Sequence, residues 1–268
     1  MHTSILKYHL VWCIIFLGCN KQDNLPIVDV YSHAGMSIHQ ERTIFPPNSF
    51  EAIQHAVEVI GVEGVEIDVQ MTKDSVLVLF HDQNITSSVG FEGCVHDYNW
   101  EDLKTLKLDY SNANIVTLKS TLDYLIQKNV KTYLDFKIWN ACEGQFLNFS
   151  TISNQFDLIL NEYSTAETDL IIAGGLTVNF LNQLNSTHKC YETGRIDSAL
   201  SKAIQYGYDH VLFHESTLDG QGNALLLNHE IIWGIFGGKS NSEIRKQLQF
   251  KPNFIITDNV SFAQKNTK

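Results

Sequence analysis

The feature that most constrains the fold is an alternation of short, β-rich apolar runs with amphipathic helical stretches along most of the 268-residue chain. The predicted strands are Ile27–Ser32, Val65–Gln70, Val76–Phe80, Lys131–Ile138, Asp169–Ala173, Lys189–Glu192, His210–His214, Ile231–Phe236 and Phe254–Thr257. The predicted helices are Asn48–Ile60, with Asn48 or Ser49 as its cap, Trp100–Leu108, Leu118–Lys128, Phe149–Tyr163 and Ile196–Tyr206.

Strands that alternate with helices indicate a parallel sheet. About eight such strands in a chain near the roughly 250 residues typical of these folds favour a TIM (β/α)₈ barrel. An open doubly wound sheet is the main alternative. It loses support because no glycine-rich loop follows the first strand.

The N-terminus has the pattern of an export signal. Lys7 precedes the apolar run Leu10–Leu17, which is too short to span a membrane, and Gly18-Cys19 follows. This arrangement resembles a bacterial lipoprotein cleavage site, with Phe16 in place of the usual Leu. We therefore expect residues 1–19 to be a signal with cleavage before Cys19, which becomes lipidated. The alternative is a plain signal peptide with an incidental cysteine.

After the signal, residues 20–26 are predicted to form a polar tether and 27–268 a single barrel domain. The protein is expected to be exported and held at the cell envelope, periplasmic or on the surface, with the lipid anchor as its only membrane contact.

The formal charge of −11 argues against nucleic acid as a partner, because binding to phosphate backbones needs clustered Lys and Arg. A small anionic substrate remains compatible with this charge, since one bound divalent cation reverses the local field.

The three later cysteines, Cys94, Cys142 and Cys190, are odd in number and irregularly spaced. We expect buried free thiols, with one fortuitous disulfide as the alternative.

Paired polar residues on two predicted strands suggest a metal site. Glu66 and Asp68 alternate with apolar residues, so both carboxylates point to one face of the strand. Two hard oxygen ligands suit Mg²⁺ or Ca²⁺. Asp135 and Lys137 repeat this geometry, so that Asp135 could complete the metal shell and Lys137 could neutralise a phosphoryl oxygen.

Two histidines lie at strand ends close to these carboxylates. His33 precedes Ala34-Gly35, and His81 ends the second strand of a predicted hairpin about the Thr72–Ser75 turn, which would place it opposite Glu66. Imidazole can act as acid or base near neutral pH. The pattern predicts a hydrolase with an acid/base pair beside a metal.

These motifs together resemble the glycerophosphodiester phosphodiesterase family. The resemblance runs from His33-Ala34-Gly35 through Pro46-Pro47-Asn48-Ser49 and Glu66–Asp74 to Val78–Asp82, and it persists faintly to Ile256-Thr257-Asp258. It implies a TIM barrel of the phospholipase C-like phosphodiesterase type.

The resemblance also implies roles for individual residues. His33 and His81 become the catalytic acid/base pair, and Glu66, Asp68 and Asp135 become ligands of one divalent cation. Lys137 becomes a phosphate contact. The implied reaction is hydrolysis of a small glycerophosphodiester to an alcohol and a glycerol phosphate.

Three departures from the family pattern bear on substrate preference and phosphate affinity. Ala34 stands where the family has Arg, Pro47 replaces an acidic residue, and Asp135 replaces Glu. Arg42, in the insertion 36–45, is the residue we expect to replace the missing cation. His214, at a strand end, is a further possible substrate contact.

Two other functions compete with this interpretation. A phospholipase C- or D-like enzyme would act on intact lipid, and a non-catalytic binding barrel would keep the metal without turnover. The sequence leaves open the head group, the choice of metal ion, the order of the histidines and the oligomeric state.

Overall fold

The computed structural model describes residues 27–39, 44–85, 92–108, 111–163, 169–174, 177–185, 188–217, 226 and 229–267. Among these residues, no helix combines the length and the apolar composition needed to cross a membrane. The predicted signal with Cys19, the tether 20–26 and Arg42 lie outside the described residues.

The strands form a parallel barrel and two small antiparallel additions. In chain order they are β1 (Asp29–Ser32), β2 (Gly64–Met71), β3 (Leu77–Leu79), β4 (Lys131–Phe136), β5 (Trp139–Asn140), β6 (Gln145–Phe146), β7 (Leu170–Ala173), β8 (Cys190–Glu192), β9 (His210–His214), β10 (Ile232–Phe236) and β11 (Phe254–Thr257).

The barrel strands follow one another in the order β1, β2, β4, β7, β8, β9, β10, β11. Strand β11 pairs in parallel with β1, from Asp29 opposite Phe254 to Ser32 opposite Thr257. Among the described residues, a single parallel bridge joins β7 to β8, from Ile172 to Lys189. The predicted TIM barrel is confirmed, and this short junction, here called the seam, is its weakest join.

The described helices are α1 (Phe50–His55, continued by a π turn over Ala56–Ile60), α2 (Trp100–Leu103), α3 (Leu118–Gln127), α4 (Phe149–Leu160), α5 (Val178–Leu181), α6 (Ile196–Tyr206), α7 (Asn241–Gln249) and α8 (Val260–Asn266). Ser49 caps α1, since its hydroxyl accepts a hydrogen bond from the amide of Ala52. Helix α6 has the predicted bounds, whereas α2 is shorter than predicted. Helices α5, α7 and α8 were not predicted.

Two apolar layers form the core. Outward-facing strand residues such as Val65, Ile67 and Leu134 pack under the helices. Inside the barrel, the rings of Tyr31, Tyr133 and Phe254 fill the central space. Glycines allow this filling: a Cβ on Gly64 would lie 2.4 Å from the ring of Tyr31, and one on Gly234 would lie 2.4 Å from that of Phe254. The barrel interior is thus a packed core and not a pore.

The hairpin of β2 and β3 forms, but its register is one residue away from the prediction. Val69 lies opposite Leu79, and Phe80 donates a backbone hydrogen bond to Asp68. The pairing of Glu66 with His81 was therefore wrong. The turn is longer than expected because Thr72 donates to the carbonyl of Val76 and Ser75 adopts a positive φ of 67°.

The expectation of buried free thiols is wrong for two cysteines. Cys94 and Cys142 form a disulfide across 48 residues, with Cα atoms 6.0 Å apart. Cys190 is free and buried inside the barrel. The disulfide ties the loop before α2 to the β5–β6 hairpin, a contact between loops that strand and helix patterns do not reveal.

Candidate active site

Three carboxylates meet at the C-terminal end of the barrel. Glu66 and Asp68 project from β2, and Asp135 lies directly beside Asp68 on β4. One oxygen from each carboxylate lies within 4.8 Å of the others. Burial and the neighbouring carboxylates of Asp68 and Asp135 raise the pKa of Glu66 well above its ordinary value. The group is therefore a concentrated, partly buried negative site.

Lys137 partly neutralises this group. Its ammonium lies 2.8 Å from Oδ1 of Asp68 and 2.6 Å from Oδ2 of Asp135. Although burial acts in the opposite direction, Asp135 and Asp68 raise the pKa of Lys137, so it stays charged. With all three carboxylates ionised, one lysine leaves a net charge of about −2, which one divalent cation would balance.

Asn48 holds Asp68 from the helix side. Its amide nitrogen donates to Oδ2 of Asp68 at 2.7 Å, and the backbone amide of Asp68 donates to Oδ1 of Asn48 at 2.9 Å. Asn48 has a positive φ of 59°, a conformation that Asn tolerates better than most residues. The Asn of the predicted Pro-x-Asn-Ser motif thus orients a site residue, and Ser49 begins the helix.

His33 is fixed by two acidic partners. Its Nδ1 lies 3.0 Å from Oδ1 of Asp258, and its Nε2 lies 4.0 Å from Oε2 of Glu66. The same oxygen of Asp258 accepts hydrogen bonds from the hydroxyl of Ser37 and the amide of Ile38. The Asp258 side chain is 2% exposed, so it forms a rigid support that directs Nε2 of His33 toward the carboxylates.

His81 lies at the end of the β2–β3 hairpin. Its Nδ1 lies 2.9 Å from Oδ1 of Asp82, whose side chain is 42% exposed. The hydrogen bond with Asp82 is the main cause that raises the pKa of His81, and the negative charge of Asp68 adds to it against the effect of burial. Gln70 holds this segment in place by donating to the carbonyls of Phe80 and Asp82.

Both histidines line one cavity of about 220 Å³ above the carboxylates. Glu66, Asp135 and Lys137 line it as well. The structure therefore brings together all the predicted acid/base, metal and phosphate residues within its described part. Ala34, where the family has Arg, is buried, and its backbone amide donates to Glu66 at 2.7 Å.

A wider groove of about 660 Å³ continues from this cavity. It shares Asp135, Lys137 and Glu192 with the smaller cavity. His214 lines it, together with the rings of Trp139, Phe146 and Phe236. The groove offers space for the part of a substrate that extends beyond the reacting phosphate.

Two acidic site residues were not assigned by sequence reasoning. Asp258 was recognised as a strand end but received no role, and Glu192 was not considered. Burial and the Asp135 carboxylate raise the pKa of Glu192 to about 8. Asp258 follows β11 and Glu192 is the last residue of β8, so both lie at the C-terminal ends of barrel strands, where active-site residues of this fold occur. That position is the signal that could have found them.

The donor set fits a hard divalent cation. Glu66, Asp68 and Asp135 offer three carboxylates and no sulfur or imidazole, which favours Mg²⁺ or Ca²⁺ over softer ions. The compact spacing of their oxygens, all within 4.8 Å of one another, supports the same conclusion. These residues could hold one such ion with part of its surface open to the cavity.

Fold and site together define a TIM barrel of the phospholipase C-like phosphodiesterase type. Residues 41–187, more than half of the chain, match the model of the Glycerophosphoryl diester phosphodiesterase family, and the chain belongs to this family. The match includes Glu66, Asp68, His81, Asp135 and Lys137 and begins after His33.

Individual relatives support this membership. The chain is 35% identical over 75 residues to a glycerophosphodiester phosphodiesterase of Bacillus altitudinis, covering 28% of each chain. It is 32% identical over 122 residues to the probable glycerophosphodiester phosphodiesterase 2 of Mycobacterium tuberculosis, covering 44% of this chain and 45% of the relative. The chain thus spans less than half the length of each of these two relatives.

A solved structure extends the likeness of the fold over most of the chain. The phosphodiesterase of Oleispira antarctica, in complex with the product sn-glycerol-3-phosphate, has a TM-score of 0.77 and 20% identity. The likeness covers 90% of this chain and 96% of that one.

Proposed function

We propose that the protein hydrolyses small glycerophosphodiesters to an alcohol and a glycerol phosphate, with His33 and His81 as its acid/base pair and one Mg²⁺ or Ca²⁺. The observation that carries this proposal is the position of both histidines around one cavity above Glu66, Asp68 and Asp135. Membership of the family and the product bound to the Oleispira antarctica relative support the substrate class.

Glu66, Asp68 and Asp135 would hold the cation, which when bound polarises the phosphoryl group and neutralises its charge. Asn48 keeps Asp68 oriented toward the same point through two hydrogen bonds. Lys137 is the candidate contact for a phosphate oxygen, because a divalent cation on the carboxylates would release its ammonium for a new partner.

We assign His33 as the general base. Asp258 accepts a hydrogen bond from the N–H at Nδ1 of His33, which leaves Nε2 as the nitrogen able to accept a proton. As the new oxygen–phosphorus bond forms, Nε2 takes the proton of the attacking water or of the neighbouring glycerol hydroxyl. The carboxylate of Glu66, 4.0 Å from Nε2, stabilises the imidazolium that results.

We assign His81 as the general acid. Its pKa is raised by Asp82, so the protonated form persists to higher pH. As the bond between phosphorus and the leaving oxygen breaks, His81 donates its proton to that oxygen, and the alcohol departs. The two histidines then exchange roles if the first step formed a cyclic phosphate.

Export and lipidation at Cys19 remain part of the proposal. The Cys94–Cys142 disulfide supports export, because such bonds persist in oxidising compartments outside the cytosol. Cys19 itself lies outside the described residues, so this part depends on the sequence pattern. In the proposal the lipid anchor is the membrane contact, and the barrel faces its soluble substrate.

One observation favours a second candidate, an enzyme for intact lipid. Trp139 and Phe146 line the wide groove and are 40% and 53% exposed. Apolar side chains at the rim of a site suit contact with an acyl chain. We rank this function second because the cavity above the carboxylates, where both histidines lie, is only about 220 Å³ in volume.

The test is release of glycerol phosphate by the purified protein from a panel of water-soluble glycerophosphodiesters, in parallel with phospholipid vesicles. The proposal predicts turnover of at least one soluble diester, with the preferred alcohol named by the panel. Turnover confined to vesicles would favour the lipid enzyme. Absence of turnover on every diester, with metal bound, would favour the binding barrel.

A further inference from the structure

A second cluster of ligand-type side chains lies at the opposite, N-terminal end of the barrel. His188 precedes β8, and Asp209 and His210 lie at the start of β9. Nδ1 of His188 lies 2.5 Å from Oδ2 of Asp209, and Nδ1 of His210 lies 2.9 Å from Oδ1. The barrel interior, filled by rings including Tyr31 and Phe254, separates this cluster from the carboxylates at the other end.

The donors of this cluster differ in kind from those of the active site. Two imidazoles and one carboxylate, with ligand atoms within 4.8 Å of one another, form the set His188, Asp209 and His210. Imidazole and carboxylate together suit Zn²⁺ and similar transition ions, at distances of about 2.0–2.2 Å. Mg²⁺ and Ca²⁺ prefer all-oxygen sites.

One imidazole in the cluster is buried without a hydrogen bond. His210 is 5% exposed, and its Nδ1 makes no hydrogen bond of acceptable geometry although Oδ1 of Asp209 is close. A buried polar atom in this condition costs free energy unless a ligand satisfies it. This nitrogen lies 2.9 Å from Oδ1 of Asp209, and the ligand atoms of His210 and His188 lie within 4.8 Å of each other.

An ion could reach this cluster from solvent. The side chains of His188 and Asp209 are 43% and 36% exposed. Both His188 and His210 line a cavity of about 470 Å³ at this end of the barrel. The cavity would admit water to the remaining coordination position, so three protein ligands suffice for a four-coordinate ion.

The cluster lies beside the seam of the barrel. Strand β8 has three residues, and its join to β7 is the single bridge from Ile172 to Lys189. The carbonyl of His188 accepts the hydrogen bond from Ile172 that supports this bridge. An ion held by His188, Asp209 and His210 would therefore fasten the segment that completes the seam to β9.

We propose that His188, Asp209 and His210 form a second metal site, for Zn²⁺ or a similar transition ion, that stabilises barrel closure at the N-terminal end. The site is independent of the hydrolytic function and acts on the folded state alone. Because binding to the folded state adds stability by mass action, metal at about a hundredfold excess over its Kd should raise the melting temperature by about 5–10 °C.

The test is a calorimetric titration of Zn²⁺ into the EDTA-stripped full chain, with excess Mg²⁺ to occupy the carboxylates. We expect one Zn²⁺ per chain and a gain in melting temperature. His188→Gln and Asp209→Asn should each weaken Zn²⁺ binding more than about a hundredfold, since even outer partners of metal ligands are worth roughly 10–100-fold. Both side chains are partly exposed, so these variants should fold.

Two control variants make the result specific. His229→Gln changes an exposed histidine outside the cluster, and Asp68→Asn changes the carboxylate site. Both should bind Zn²⁺ as the unchanged protein does. The proposal is overturned if no Zn²⁺ binds in excess Mg²⁺, if His188→Gln binds as tightly as the unchanged protein, or if Asp68→Asn abolishes the binding. In those cases the cluster is a hydrogen-bonded support without metal.

Discussion

The two ends of the barrel both combine carboxylates with histidines, yet they do so in different ways. At the C-terminal end, Glu66, Asp68 and Asp135 form an all-oxygen group, and the histidines stand outside it. At the N-terminal end, the imidazoles of His188 and His210 are members of the cluster itself. The two groups therefore differ in the type of their donor atoms and not in the presence of acidic residues.

The position of each group within its element explains the difference. Active-site residues follow the strands at their C-terminal ends, where loops can move relative to a substrate. His188, Asp209 and His210 precede or begin strands, where position is tied to the sheet. In the proposed roles, the group that holds strands together lies where strands begin, and the group that meets a substrate lies where strands end.

Among the residues that support a site histidine, the largest effect is expected for Asp258, whose Oδ1 lies 3.0 Å from Nδ1 of His33. In Asp258→Asn the carboxylate that accepts from Nδ1 is lost, so His33 no longer presents Nε2 in one tautomer. We expect kcat to fall about tenfold or more, part of the roughly 10²–10⁴-fold that acid–base catalysis contributes, with KM little changed. Steady-state kinetics on the preferred diester measure the changes in kcat and KM separately.

Asp82→Asn is the matched control for this variant, because Asp82 also pairs with a site histidine but is 42% exposed. Its effect on kcat should be smaller, and Asp258→Glu should recover part of the loss. An Asp258→Asn protein with unchanged kcat, or with a raised KM alone, would contradict the role given to Asp258.

A smaller effect is expected for Asp209→Asn at the other end. Burial acts to raise the pKa of Asp209, but His210 and His188 lower it to about 2. Because the folded pKa is depressed, the ionised carboxylate contributes stability above its unfolded pKa of about 4, and this is lost as pH falls toward 2. In EDTA at neutral pH we expect a loss of about 1 kcal/mol after discounting for solvent screening.

Chemical denaturation across pH measures this contribution. The stability difference between Asp209→Asn and the unchanged protein should shrink between about pH 4 and pH 2. Asp169→Asn, which changes an exposed carboxylate at the same end, is the matched control and should leave the stability close to that of the unchanged protein. A difference that stays constant down to pH 2 would mean that Asp209 acts through packing alone.

The fold and much of the geometry of the candidate site could be predicted because their signals are local. Strand periodicity places Glu66 and Asp68 on one face, and the hydrophobic runs end where His33 and His81 begin the loops. A closed parallel barrel then forces the ends of neighbouring strands together, which is why Asp135 arrives beside Asp68. These inferences needed no knowledge of loop structure.

The remainder depends on details that short patterns do not carry. The hairpin register depends on a turn in which Ser75 has a positive φ. The disulfide joins two loops whose cysteines are 48 residues apart. Asp258 and Glu192 belong to the site through closure of the barrel, since each is far from the main motif in sequence. The unpredicted α5 has four residues, too few to show helical periodicity.

The division of roles between the two ends of the barrel can be tested by measuring glycerol phosphate release with variants of residues at each end. We predict that EDTA and Asp68→Asn each lower turnover roughly 10³-fold or more, because a bound metal stabilises the transition state by several kcal/mol. His188→Gln should keep near-normal turnover in Mg²⁺ at a temperature where it is folded. Turnover that survives EDTA and Asp68→Asn, or that is lost equally in His188→Gln, would contradict the division between the two ends.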